Sequence, residues 1–353
     1  MFSTKYQDLY NSVGYDNQEM DKMRTDLGNL VNTSGIDGNA FITQQEVRDA
    51  IAKFKPGKND GGFGLSTDHF MYAGSCFVTF TTMLLSAIMV HGTVPKVLCC
   101  SRLIPIPKGK NANLTDSNNY RGITLSSIFV RLVDLIIIQR YGNKLTTCEQ
   151  QFSFKSKLSA NMCTLMLKEA ITYYCNHGGS VYCVFLDATK AFDRVEYCKL
   201  FKLLINRGLP PICLRLLLNM YTSHIISIAW NNIVSNAFVV RNGIKQGGIL
   251  SPLLFCIYFD ELLLRLKNAG IGCWIGSVYV GALAYADDLS LLAPTIGAMH
   301  SMLAICDSYA KEFNVIFNAS KTKCMCLGDK FVHGCDKDFS PRFYIAGSSI
   351  DIG

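Results

Sequence analysis

The 353-residue chain lacks the features of a membrane protein, a repeat array or a disulfide-stapled secreted domain. From His69 to Pro95 there is no Asp, Glu, Lys or Arg, and 77–90 is largely apolar. Threonines, serines, glycine and flanking histidines dilute that run, and its apolar core is shorter than the ~20 residues a bilayer needs. A buried helix is therefore expected there, and no membrane association. Internal repeats and low-complexity stretches are missing. The glycine-rich Asp60-Gly-Gly-Phe-Gly64 carries no Lys-Ser/Thr in phosphate-loop spacing, which leaves it a turn. Asp37-Gly-Asn39 with Phe41-Ile-Thr faintly resembles a calcium loop. Phe41 offers no side-chain oxygen at the fifth position, however, and Ile42 stands where glycine is required. Cys324, Cys326, His333 and Cys335 could be zinc ligands in type, but Cys-x-Cys is tighter than the usual structural spacing. The 15 cysteines are odd in number and scattered through apolar segments, and the opening MFSTKYQDLYNS is polar, unlike a secretory leader. Reduced intracellular thiols, mostly in the core, are expected.

What is present is a core-forming composition. Hydrophobic residues make up 49% of the chain, enough for two or three subdomains around a large core. The net charge is +7 and the pI about 8.6, which permits a polyanionic partner without requiring one.

The most informative stretch is Gly281-Ala-Leu-Ala-Tyr-Ala-Asp-Asp-Leu-Ser-Leu-Leu-Ala293. Apolar residues lead into Asp287 and Asp288 and out again, which predicts a β-hairpin with two carboxylates at its tip. Adjacent acids repel, and a hard cation such as Mg²⁺ supplies the counter-charge a buried pair needs. A solvated Asp-Asp turn is the plainer alternative. A third acid, Asp187, ends the continuous apolar run Val181-Tyr-Cys-Val-Phe-Leu186, which reads as a buried central strand. An acid at the mouth of such a strand lies where sheet proteins place chemistry. It is otherwise often a helix cap, and a helix is predicted over 189–206, ending at Gly208.

Residues 1–40 are polar and weakly patterned, so a loosely docked N-terminus is expected. Thr43 and Glu46 form a capping-box pattern that starts a helix over 44–54. Ser101-Arg-Leu-Ile-Pro-Ile-Pro-Lys108 reads as a strand whose two prolines suit a sheet edge. With Tyr120-Arg-Gly-Ile-Thr-Leu-Ser126 it forms a projecting hairpin carrying Lys108, Lys110 and Arg121, cations able to grip phosphate oxygens. Solvated basic edge residues would look the same. Further helices are expected over 128–144, 160–175, 253–267 and 297–312, with Ser251 and Pro252 as N-cap and N1 of the third. A hairpin is expected over 225–241 around Asn231-Asn232, and a strand near 327.

Five pieces now stand in order: the basic hairpin, Phe185-Leu-Asp-Ala-Thr-Lys-Ala-Phe-Asp193, Lys245-Gln-Gly-Gly-Ile-Leu-Ser-Pro-Leu254, Tyr285-Ala-Asp-Asp288 and Asn318-Ala-Ser-Lys-Thr-Lys323. Together they resemble the reverse transcriptases of non-LTR retrotransposons, from about Glu46 onward. Group II intron maturases and retroviral reverse transcriptases are similar more distantly.

The resemblance implies an α+β right-hand polymerase with fingers and palm, an antiparallel palm sheet with flanking helices, and no thumb in this chain. It implies an N-terminal extension over 1–45, fingers over 46–180 and palm over 181–353. It implies an RNA-directed DNA polymerase using an RNA template, a DNA primer and dNTPs in an intracellular, nuclear setting. Two Mg²⁺ ions, replaceable by Mn²⁺, would be bridged by Asp187 and Asp287 with Asp288 in support. Lys108 and Arg121 would hold the triphosphate, and Ala188 would lend a backbone carbonyl. Phe192, following Ala191, would lie under the sugar, Gln246 and Gly247 would pack by nucleotide and template, and Lys321 would protonate pyrophosphate. Ser153, Lys155, Gly122 and Gly248 depart from the family's usual Gly, Arg, Pro and Ser or Cys. Thumb and endonuclease regions would belong to a larger polyprotein, with this chain a fragment or decayed copy. An inert nucleic-acid-binding remnant and a maturase-like enzyme are the competing expectations.

Overall fold

Thr43 and Glu46 close the reciprocal cap expected of them. The Thr43 hydroxyl accepts from the Glu46 amide at 3.2 Å, and the Glu46 carboxylate accepts from the Thr43 amide at 2.8 Å. The helix they start runs Gln44–Ala52 in the computed structural model, which describes residues 1–34, 40–62, 64–109, 113–328 and 342–352. Asp37, Asn39, Phe63, Lys110, His333 and Cys335 lie outside the described residues. The chain divides into two compact units, Met1–Leu145 with Phe192–Leu254, and Thr146–Ala191 with Phe255–Gly353. Both units are discontinuous in sequence, so their borders differ from segments 46–180 and 181–353.

In the first unit the N-terminal residues are not loosely docked. Helices Phe2–Leu9 and Asn17–Ser34 form, and Tyr6, Leu9 and Tyr10 are buried with Leu103, Ile226, Ile228 and Val240. The spacing of Phe2, Tyr6, Leu9 and Tyr10 is one narrow helical stripe, too sparse to stand out in a polar segment. Gly122 makes room for it, since a Cβ there would meet Tyr6 Cε1 at 2.8 Å. The family's usual proline would press its Cβ against the Tyr6 ring and the Leu103 side chain.

The unit's sheet runs Tyr120–Leu125, Cys100–Pro107, Ile225–Trp230, Ile233–Val234, with Phe238–Val239 also paired to Ile225–Trp230. The proline-bearing strand therefore has neighbours on both sides, which corrects its expected edge position. Its parallel partner reaches only Cys100–Leu103, so Pro105 and Pro107 lie beyond that ladder and cost it no bond. Helix Pro211–Thr222 was not foreseen. It is apolar on nearly every side and correspondingly buried, which hides the helical period. The 77–90 segment lies in helix Ser75–His91, whose Val78, Leu85, Ile88 and Met89 are buried while Phe80 and Met83 are exposed. No helix among the described residues is long and apolar enough to cross a membrane.

The helix expected over 189–206 begins only at Tyr197. Ala191–Arg194 is a 3₁₀ turn, and the carbonyls a helix would use are taken elsewhere. Phe192 O accepts from the Ile244 amide at 2.9 Å, Asp193 O from Asn242 Nδ2 at 2.7 Å, and Val195 O from the Gly243 amide at 2.8 Å. Glu196 then caps the helix, accepting from the Cys198 and Lys199 amides at 2.7 and 3.2 Å.

The second unit is built on a five-stranded sheet in the order Asp351–Ile352, Lys323–Leu327, Val181–Leu186, Asp288–Ala293, Ala282–Tyr285. All pairings are antiparallel except that of Asp351–Ile352. Val181–Leu186 is central, as its continuous apolar run predicts. Helix Ala160–Asn176 packs on this sheet, and Phe152, Ala170, Val181, Cys183, Val280, Leu283 and Leu292 form one core cluster. Helix Ile296–Glu312 and hairpin Tyr344–Ile345 with Ser348–Ser349 complete it. The described cysteines of both units are free thiols. Helices beside a largely antiparallel sheet make the fold class α+β.

Candidate active site

The apolar strand Val181–Leu186 delivers Asp187 to its C-terminal end, and the expected hairpin delivers Asp287 and Asp288. Its strands are Ala282–Tyr285 and Asp288–Ala293, joined by the two-residue turn of Ala286 and Asp287. Leu289 pairs with Leu186, so one further step of the antiparallel register sets Asp288 opposite Asp187. Like charges directly opposite across a ladder repel. Burial and then the Asp187 charge push the Asp288 carboxyl above the usual carboxylate range.

Asp187 is fixed through its backbone. Its carbonyl accepts from the Asn318 amide at 2.8 Å, and its amide donates to Thr322 Oγ1 at 3.5 Å. The Thr189 amide donates to Ile316 O at 2.8 Å, and Ala188 bridges Phe317 between these two bonds without using its own groups in them. Asn318 Oδ1 accepts from the Ser320 amide and hydroxyl at 3.1 and 2.7 Å, turning the chain so that Lys321 faces Asp187. Lys321 Nζ stands 3.4 Å from Asp187 Oδ2. Three of the four expected catalytic residues thus meet at one strand end, and Asp287 lies on the turn next to them.

Two observations fit a divalent cation at this place. Asp187 Oδ2 is buried and accepts no hydrogen bond. The Asp288 carboxyl is held above its ordinary range first by burial and then by the Asp187 charge, and a cation would relieve the second of these. Carboxylate oxygens are also the donors that Mg²⁺ prefers. Among the described residues, however, no group of three or more His, Cys, Asp and Glu is gathered closely enough to hold a metal ion. Asp187, Asp287 and Asp288 are therefore not a preassembled three-carboxylate cage, and the Lys321 ammonium supplies the positive charge beside Asp187.

The remaining expected residues lie in the first unit, apart from the buried Ala191. Arg121 is exposed opposite Ile106, and exposed Lys108 follows the strand whose last pair is Pro107 with Tyr120. The Lys108 amide donates to Asn119 O at 2.8 Å. Gln246 is anchored to this same hairpin, because its carbonyl accepts from the Thr124 amide at 2.7 Å. Its side chain donates from Nε2 to Asp193 Oδ1 at 2.8 Å, and Tyr10 Oη donates to the same oxygen at 3.1 Å. Gly247 takes φ 108, and a Cβ there would stand 3.0 Å from Thr124 O. Phe192, next to Asp193, is half-buried. Lys108, Arg121, Phe192, Gln246 and Gly247 are thus parts of one connected framework.

Sequence reasoning missed several supports of this framework. Asp193 and Tyr10 hold Gln246, and neither stands out in the sequence. Asp134 is buried in helix Ile128–Tyr141 and accepts from the Leu250 amide at 3.4 Å, bracing the end of the Lys245–Leu250 loop. Burial pushes its carboxyl up to about 6 against the opposing influence of buried Lys245. A lone Asp in an apolar helix was the available signal, because such a residue requires partners. In the second unit, Ser153 stands out in the sequence as a departure from the family's glycine, but the hydrogen bonds that it and Gln151 make were missed.

The reverse transcriptase (RNA-dependent DNA polymerase) family matches residues 106–343. The retrovirus-related Pol polyprotein of the type-2 retrotransposable element R2DM from Drosophila melanogaster is 26% identical over 267 residues, 76% of this chain and 25% of that protein. The Pol polyprotein of an R2 element from Nasonia vitripennis is 29% identical over 71% of this chain and 24% of its own length. The RNA-directed DNA polymerase of the mobile element jockey from Drosophila funebris is 24% identical over 79% of this chain and 31% of its own. The chain thus spans about a quarter to a third of the length of these relatives. With the family matched over more than half of its residues, this chain belongs to the reverse transcriptase (RNA-dependent DNA polymerase) family.

Proposed function

We propose that the chain is the polymerase portion of a non-LTR retrotransposon protein, extending a primer 3′-hydroxyl with dNTPs on an RNA template. The observation that carries this reading is Asp187, whose buried Oδ2 accepts no hydrogen bond and, among the described residues, has only the Lys321 ammonium, 3.4 Å away, as its counter-charge, with Asp288 one step beyond the last rung of the neighbouring strand. Such an arrangement is unfavourable in an idle protein and useful in one that binds cations and phosphates. The divalent cations implied, Mg²⁺ or Mn²⁺, would be held by Asp187 and Asp287 with Asp288 in support, and supply activation of the 3′-hydroxyl and charge stabilisation at the leaving pyrophosphate.

The chain's own residues would do the rest. Lys321, already drawn to Asp187, carries the proton a departing pyrophosphate oxygen needs. Arg121 and Lys108 grip the triphosphate from the basic hairpin. Gln246 and Gly247 present an ordered loop to the base and template, and Phe192 offers its half-buried ring to the sugar. In this reading the chain comprises fingers and palm, divided near residue 180, and further regions of a polyprotein accompany it. The test is Mg²⁺-dependent extension of an annealed DNA primer on RNA by this chain, with Asp187→Ala as the control. Extension that persists in that variant, or that needs no divalent cation, would remove the assignment.

A further inference from the structure

Ala286, the first residue of the turn bearing Asp287, has φ 58. This left-handed backbone is disfavoured for a residue with a Cβ and persists only where the surroundings impose it. The tight two-residue hairpin turn calls for a positive φ at its first residue, and one side chain holds that residue there. Gln151 Nε2 donates to Ala286 O at 3.2 Å, and Gln151 Oε1 accepts from the Ala286 amide at 3.0 Å. Both backbone groups of the turn residue are therefore held by a single amide.

That amide is itself fixed. Gln151 is fully buried, and its Oε1 also accepts from the Ser153 amide at 3.2 Å and the Ser153 hydroxyl at 2.8 Å. Ser153 is 2% exposed, and its hydroxyl lies 3.2 Å from Cys256 Sγ. The backbone around Gln151 docks on the hairpin as well. The Ala284 amide donates to Gln150 O, and the Phe152 amide to Ala284 O, both at 2.8 Å. Residues 150–152 thus act as a short extra strand along the outer edge of Ala282–Tyr285, and the Gln151 side chain reaches past the end of that strand to the turn.

We propose that Gln151 is a positioning residue: it holds the Ala286 backbone in its left-handed state and so sets where Asp287 and Asp288 stand. Ser153 orients Gln151, which gives this serine a purpose where glycine is usual in the family. The proposal rests on the polymerase reading for its effect on rate, but the clamp itself does not depend on it.

The test uses the whole chain in three forms: wild type, Gln151→Leu and Gln151→Glu. Glutamate keeps the acceptor for the Ala286 and Ser153 amides but loses the donor to Ala286 O. Hydrogen exchange by mass spectrometry should accelerate in Gln151→Leu in peptides spanning 282–290, by roughly tenfold or more, with helix Ile296–Glu312 unchanged. In primer extension, kcat should fall about tenfold to a hundredfold while KM for dNTP stays within twofold, and Gln151→Glu should fall between. Installing Ala286→Gly, which tolerates the left-handed state, should shrink the cost of Gln151→Leu. Unchanged exchange at 282–290, or the same fold-loss of kcat with and without Ala286→Gly, overturns the proposal. Exchange that changes as expected in a chain that does not extend primers at all would retain the clamp and remove the polymerase reading.

Discussion

Asp187 and Asp288 lie one step beyond the last rung between their strands, Leu186 with Leu289, and the consequence is specific to each. Asp187 has a buried oxygen with no hydrogen-bond donor and a lysine at hand, so its charge is the site's focus. Asp187→Asn keeps the shape but removes the charge, and extension should drop by roughly 10²–10³-fold or more with the circular dichroism spectrum unchanged. Asp288→Asn relieves repulsion and should cost less. Near-normal extension by the Asp187 variant would sink the assignment. Phe192 raises a different question at the same scale. Its ring is half-buried, so it is neither a filled core position nor a free surface group. A ring under the sugar leaves no room for a 2′-hydroxyl, and a clash acts against the wrong ligand only. Phe192→Val should raise kcat/KM for ribonucleotides while keeping deoxynucleotide use. A variant that loses thermal stability and activity together, with its sugar preference unmoved, would show that the ring only packs.

At the scale of elements, the acidic hairpin and the central strand were legible because their information is local. Alternation, an apolar run and a turn fix them with no help from distant residues. What the sequence concealed was set at long range. Helix formation after Asp187 is interrupted because residues 242–244 take the carbonyls of Phe192, Asp193 and Val195, a competition with no local trace. The N-terminal helices were concealed because four apolar side chains on one stripe suffice to dock Phe2–Leu9. Gln151 was concealed because a glutamine looks alike whether it faces water or holds a turn. The capping box was legible, but its second duty was not: Glu46 also receives Arg140 from helix Ile128–Tyr141, with Arg140 Nη2 donating to Oε2 at 2.7 Å. Burial alone would raise the Glu46 carboxyl, yet hydrogen bonds from Arg140 and Thr43 outweigh it and hold the group at about 2. A carboxyl depressed on folding contributes stability that is complete above its unfolded value and is lost as pH falls through the folded one. Water screens this partly exposed pair, so the stability at stake is smaller than the full shift, on the order of 1 kcal/mol, lost between about pH 5 and pH 2. Glu46→Gln should therefore lower Tm at pH 7 and flatten its fall toward pH 3. Parallel Tm-versus-pH curves for the two proteins would show that the pair contributes nothing.

For the molecule as a whole, 34 Lys and Arg against 27 Asp and Glu give the net charge of +7. A template bound mainly through its phosphates releases counterions, and its affinity falls with salt at a slope near −0.7 per phosphate contact for a single strand. About five contacts would give a slope near −3.5, a loss of roughly 10²-fold between 50 and 200 mM salt. This whole-chain term also separates two roles for the basic hairpin. If Arg121 holds the nucleotide, Arg121→Ala raises KM for all four dNTPs together and leaves the salt slope for RNA where it was. If it holds the template instead, the slope falls by about 0.7 and KM for dNTP stays put. Fluorescence anisotropy of a labelled RNA across a salt series, with extension kinetics on the same preparations, reads both quantities. A wild-type slope close to zero would mean that the chain's positive charge is spread without purpose, and would remove the polyanion from the account of this molecule.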